Sequence, residues 1–155
     1  MKKTPSQKGE EAKQLFLSGY NCAQAVFLAF SGELGLEKET ALKLSAAFGG
    51  GMGRLREVCG AVSGMFMVLG LKYASANPAD HTAKTQLYSR VQELARRFKE
   101  ENGSLICREL LSLPPGPQDP TPQERTPQYY RLRPCPDKVA SAARILAKYI
   151  QEQEP

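Results

Sequence analysis

The sequence holds one histidine, His81, and no Ser-His-Asp set can be assembled around it. Its four cysteines include no C-x-x-C pair, which leaves out the compact dithiol and the close-spaced half of a usual zinc site. There is no G-x-x-x-x-G-K-S/T and no G-x-G-x-x-G, and no strand pattern leads into the glycine cluster at residues 49–53. A phosphate-cradling nucleotide loop is therefore argued against. Strand-type alternation is absent over any useful length, and so are internal repeats, which excludes a β-rich or repeat fold. The longest uncharged apolar run, Val58 to Leu71, has 14 residues and three glycines, too short and too glycine-rich for a membrane span. The opening MKKTPSQKGEEAKQ starts basic with no apolar stretch behind it and does not read as a secretory signal. A cytoplasmic protein is expected. The 21 Lys and Arg outnumber the 16 Asp and Glu for a net charge of +5, but they are interspersed, so nucleic acid is not indicated as a partner.

What the chain does carry, in 155 residues, is 41% hydrophobic residues, enough for the core of one compact domain over 1–155. Its periodicity is helical. Gly9 to Ser18 sets Ala12, Leu15 and Phe16 on one face with Gly19 as the stop, leaving 1–8 as a flexible N-terminus. Asn21 is placed to cap a helix over Cys22 to Phe30, with Gln24 as the second half of a capping box. Thr40 to Phe48 suggests a third helix. From Cys59 to Leu71 no charge occurs, and Gly60, Ala61, Ser63 and Gly64 would let neighbours approach closely, so this reads as a buried, Gly-rich central helix. Asn77 as cap, Pro78 and Asp80 open a long helix to about Asn102, with Ala83, Leu87, Val91, Leu94 and Phe98 on one face. A short helical stretch follows over Ser104 to Leu113. Eight of the eleven prolines fall in 114–136, which predicts an extended surface segment. A last helix from Pro136 carries Val139, Ala142, Ala143, Leu146 and Ile150. The fold class is all-α, a helical bundle of six or seven helices.

Cys22, Cys59, Cys107 and Cys135 lie 37, 48 and 28 residues apart, and each falls at or beside the start of a predicted helix. Unpaired N–H groups and the helix dipole stabilise negative charge there, drawing a thiol down from about 8.5 toward neutrality. Arg54 and Arg56, just upstream of Cys59, add to this if they face the sulfur. On that reading the glycines at 49–53 set Cys59 at a helix N-terminus, and the anion it stabilises is its own sulfur or a small substrate drawn there. The plain alternative of four small buried hydrophobes loses ground because one context recurs four times. His81 could form a Cys-His dyad with Cys59 or Cys22, but a solvated surface histidine is the favoured reading.

The order of GYNCAQAV, CGAVSG, GSLICREL and RPCPDKVA resembles the family of small bacterial or archaeal proteins named for a C-GCAxxG-C-C pattern and regarded as redox-active for its four cysteines. The resemblance runs from about Gly9 to Ile150, with Cys59, Gly60, Ala61 and Gly64 as its core. It implies cysteine thiol/disulfide chemistry without a settled substrate. Cys22 and Cys59 are the first choice for the primary thiols and Cys107 and Cys135 for the supporting pair, although the sequence permits all three pairings. No cofactor is then needed, and the partner is a small-molecule or protein thiol; assignment as an enzyme, a thiol-dependent oxidoreductase, stays open. The alternative is a zinc or iron-sulfur site with the same four cysteines as ligands. A further alternative is a non-catalytic binding module in which Met65, Phe66 and Met67 line core or pocket. The apolar stripe of the last helix leaves room for a homodimer without requiring one.

Overall fold

The computed structural model describes residues 2–154. Among them the α-helices are α1 (Pro5–Leu17), α2 (Cys22–Ser31), α3 (Lys38–Ser45), α4 (Gly60–Tyr73), α5 (His81–Asn102), α6 (Cys107–Leu110), α7 (Pro127–Leu132) and α8 (Cys135–Gln153). A 3-10 turn, Ala46–Phe48, continues α3. The only β pairing among the described residues is one antiparallel bridge between Val58 and Ile106. The all-α class stands.

The core forms because α4 carries no charge before Lys72 and can be surrounded. It packs against α2, α5 and α8, while α1 lies along α8 and also touches α2. Phe16, Val26, Met65, Leu69, Leu94, Phe98 and Leu146 meet there fully buried, each worth roughly 1.5–3 kcal/mol of apolar burial. Two glycines set how closely α4 approaches α2. A Cβ on Gly64 would stand 2.7 Å from the Ala23 carbonyl oxygen, and one on Gly60 would stand 3.1 Å from Cys22 Cβ. The first turn of α4 is thereby seated against the start of α2, where Cys22 lies.

Three local expectations are corrected. The segment 1–8 is not a flexible N-terminus as far as it is described, residue 1 lying outside the described residues. The helix opens at Pro5 because Thr4 accepts from the Gln7 N–H at 3.1 Å, Gln7 Oε1 accepts from the Thr4 N–H at 2.8 Å, and proline suits the first helical position. Lys8 is in fact buried, its Nζ donating to the Ala29 carbonyl at 2.6 Å near the end of α2 and pairing with Glu33. The third helix begins earlier, at Lys38, and tightens to 3-10 geometry at Ala46. The cap of α5 is Asp80, accepting from Ala83 N–H at 3.0 Å; Asn77 instead closes a turn onto Ala79 N–H at 3.0 Å.

The proline-rich segment supplies the eighth helix. Between Pro127 and Pro134 no proline intervenes, Thr126 caps by accepting from Tyr129 N–H at 3.1 Å, and one short turn, α7, persists. The remainder of 114–126 holds no helix. It is pinned through Gln118, whose N–H donates to the Arg54 carbonyl, and through Arg125, whose guanidinium donates to the carbonyls of Phe16 and Tyr20. No helix among the described residues is long and apolar enough to cross a membrane.

Candidate functional site

All four cysteines open helices. Cys22, Cys107 and Cys135 are the first residues of α2, α6 and α8, and Cys59 is the residue before α4. Those four helix starts converge on one cavity of about 70 Å³ that all four side chains line. The backbone devices that bring them there are local. Asn21 and Gln24 form the expected capping box at the head of α2, and Asn21 also donates to the Ala46 carbonyl at 3.0 Å. The antiparallel Val58–Ile106 bridge ties together the two backbone segments that carry Cys59 and Cys107: Cys59 N–H donates to Leu105 O at 2.8 Å, and Cys107 N–H donates to Glu57 O at 2.6 Å.

The glycine cluster forms a left-handed turn. Gly50, Gly51, Met52 and Gly53 all have φ between 64° and 70°, and Gly53 N–H closes the turn on Gly49 O at 2.9 Å. An L-residue pays about 1–2 kcal/mol in this region, which glycine avoids. At Gly51 space is also lacking, since a Cβ would stand 2.5 Å from Cys107 Cβ and 2.8 Å from Arg56 Cα. The loop is thus a floor on which Cys107 rests. Arg54 and Arg56, with φ of 68° and 60°, leave it in opposite roles. Arg56 is buried and its Nη1 donates to Cys107 Sγ at 3.5 Å. Arg54 turns away to the Asp119 carbonyl at 2.6 Å and does not line the cavity.

The electrostatics separate the four thiols. Burial pushes Cys59 up to about 12, even though the Ala61 and Val62 N–H groups at the head of α4 pull the other way. Cys107 is also raised by burial, with Arg56 opposing. Cys22 is held well above the ordinary thiol range, first by its hydrogen bond to Cys135 and then by burial. Cys135 is drawn down to about 7, first by that same hydrogen bond and then, against burial, by Arg133, Arg56 and Arg125. Burial weighs against Cys59 as its own stabilised anion, since two helix N–H groups do not offset its desolvation, Arg54 turns to the Asp119 carbonyl and Arg56 donates to Cys107.

All four cysteines are free, Cys59 and Cys107 buried and Cys22 and Cys135 half-buried, so no pair is joined in the structure; Cys22 and Cys135 are the two whose thiols shift one another most. Gly60 lines the cavity; Ala61 is buried in α4, and Gly64 makes its close contact with α2. His81, exposed at the head of α5, is not among the residues that line the cavity. Although four sulfurs share the cavity, among the described residues no group of three or more His, Cys, Asp or Glu is placed to hold a metal ion. Sequence reasoning missed Arg125, Tyr129, Arg133 and Lys138, all of which line the cavity. The signal available was the basic residue on either side of Cys135, at two positions before and three after.

An all-α chain with four helix-opening cysteines around one cavity is the arrangement these residues define. The family described as "Putative redox-active protein (C_GCAxxG_C_C)" matches residues 20–149, and the chain belongs to it. The chain carries the central element as C-G-A-x-x-G, with Cys59 ahead of Gly60. No curated protein and no solved structure matches the chain significantly.

Proposed function

We propose that the protein is a dithiol/disulfide redox protein in which Cys135 is the attacking thiolate and Cys22 the thiol that resolves the mixed disulfide. What supports this reading is that Cys22 and Cys135 line one cavity with Arg56, Arg125 and Arg133, where the Cys135 thiol is drawn down to about 7 by Cys22 and those arginines while Cys22 is held well above the ordinary thiol range. The Cys135 thiolate attacks one sulfur of a substrate disulfide, forming a new S–S bond and releasing the other sulfur as thiolate. Cys22 then loses its proton, attacks Cys135 Sγ, and releases the second substrate thiol. Two electrons pass to the substrate, and the chain is left with a Cys22–Cys135 disulfide. Cys59 and Cys107, kept protonated by burial, are the supporting pair in this scheme.

Mass spectrometry of peptides after mild oxidation tests the scheme. A Cys22–Cys135 linkage is expected as the first disulfide formed. Four free thiols after oxidation would overturn the reading, and metal analysis with an absorption spectrum on protein purified without oxygen tests the zinc or iron-sulfur alternative.

A further inference from the structure

Four arginines away from the cavity are matched by carboxylates, Arg96 and Arg97 with Glu93, Arg108 with Glu57 and Arg144 with Glu101, while Arg54, Arg90 and Arg131 are scattered singly without one among the described residues. The cysteine cavity is built differently. Arg56, Arg125, Arg133 and Lys138 line it, and no Asp or Glu does. Each of these cations is held by neutral acceptors. Arg56 donates to Gln118 Oε1 at 2.8 Å, Arg125 to the Phe16 and Tyr20 carbonyls at 3.0 and 3.1 Å, Arg133 to Gln123 Oε1 at 2.6 Å, and Lys138 to Asn102 Oδ1 at 3.1 Å. Among the described residues none of the four is in an ion pair. Arg56 is only 5% exposed, and a buried guanidinium without a counter-anion is costly. Neutral hydrogen bonds fix where these cations stand without cancelling their charge. Fixed, uncancelled cations around a small concavity are the requirement for recognising an oxyanion.

We propose that the cavity binds one oxyanion group of the size of sulfate or phosphate, and that the molecule on which the Cys135–Cys22 couple acts carries that group. The second half rests on the thiol redox reading; the first does not. A single thiolate at Cys135 answers one of the four lining cations and leaves three (4 − 1 = 3). The cavity is small, about 70 Å³, and suits one compact group. The rest of a larger molecule lies outside, past the half-buried Arg133 and Lys138. The bound anion and the Cys135 thiolate compete for the same guanidiniums, so removing the sulfur's charge tightens anion binding.

Calorimetric titration of sulfate and of phosphate into the reduced full chain, in low-ionic-strength buffer, tests the first half. One saturable site is expected, weakened at least tenfold by Arg56→Gln and by Arg125→Gln, unchanged by the surface control Arg96→Gln, and retained or tightened in Cys22→Ser/Cys135→Ser. Circular dichroism checks that each variant is folded, and Arg133→Gln replaces Arg56→Gln if that variant is not. No saturable binding in either the native chain or the serine variant overturns the proposal. So does an equal loss in Arg96→Gln.

The second half is read from the rates at which two disulfides oxidise the reduced chain, that of 2-mercaptoethanesulfonate and the uncharged 2-hydroxyethyl disulfide. The anionic reagent is expected to react at least tenfold faster, with the preference lost in Arg125→Gln. Equal rates overturn the substrate assignment. Sulfate binding without any Cys22–Cys135 linkage would instead sink the thiol reading while leaving the anion site standing.

Discussion

Cys59 just precedes its helix and Cys135 is the first residue of its own, yet their thiols move in opposite directions from the ordinary value, up to about 12 and down to about 7. A helix N-terminus offers both the same partial charge, so the difference comes from what else touches the sulfur. Cys59 is 7% exposed and its shift is led by burial, whereas Cys135 is drawn down by Cys22 and by three arginines. Iodoacetamide labelling against pH should show Cys135 becoming reactive through about pH 7 and Cys59 inert in the neutral range. Removing the donor with Cys22→Ala should move the Cys135 inflection upward by about one to two pH units, since a hydrogen bond to a charged group is worth about 1.5–3 kcal/mol. An unmoved inflection would mean that the arginines alone set it.

At the scale of elements, glycine decides two contacts and is dispensable at a third. Gly64→Ala places a Cβ 2.7 Å from the Ala23 carbonyl oxygen, a backbone atom that cannot swing aside, and should cost about 1–3 kcal/mol in urea unfolding. Gly51→Ala adds backbone strain at φ +68° to its clash with Cys107, so it should destabilise further and alter the labelling rate of Cys107. Gly32 at the end of α2 has φ −62° and no neighbour within 4 Å of an added Cβ. Gly32→Ala should therefore be neutral or stabilising by up to about 1 kcal/mol. The elements were legible where their signals are local: the Asn21 and Gln24 box, the uncharged α4 and the cysteine at each helix start are all readable as spacing. The Thr4, Pro5, Gln7 box is as local, but the apolar periodicity begins only at Ala12, so α1 reads as starting late. Which sulfurs meet was not legible, because that depends on how α8 lies against α1 and α2. Arg125 and Arg133 were equally hidden, since prolines remove the periodicity from which a side chain's direction is read.

For the molecule as a whole, the shifted thiols become a dependence of stability on pH. Between about pH 7 and the unfolded thiol's range near 9, the native chain has released the Cys135 proton that the unfolded chain still binds, so stability rises with pH. Above about 9 the order reverses. The unfolded chain ionises thiols that Cys22, Cys59 and Cys107 keep protonated in the fold, and Cys59 alone then costs about 1.4 kcal/mol per pH unit up to about 12. Urea midpoints of the reduced protein should thus pass through a maximum between pH 8 and 9, and a flat profile would contradict the shifts. A Cys22–Cys135 bond would close a loop spanning 113 positions (135 − 22 = 113). Loops near 100 residues give about 4.7 kcal/mol by chain entropy, so the oxidised protein should melt on the order of 10 °C above the reduced one.

The order in which the chain is made gives the strap before α8 one more consequence. Cys22, Cys59 and Cys107 are synthesised before Arg125, Arg133 and Cys135. Until α8 docks along α1, an oxidant that reaches the nascent chain can join only partners that the finished fold keeps apart from the Cys22–Cys135 contact. On the thiol redox reading, a Cys22–Cys135 bond can therefore form only after α8 has been made and docked, and a reducing surrounding during synthesis favours it.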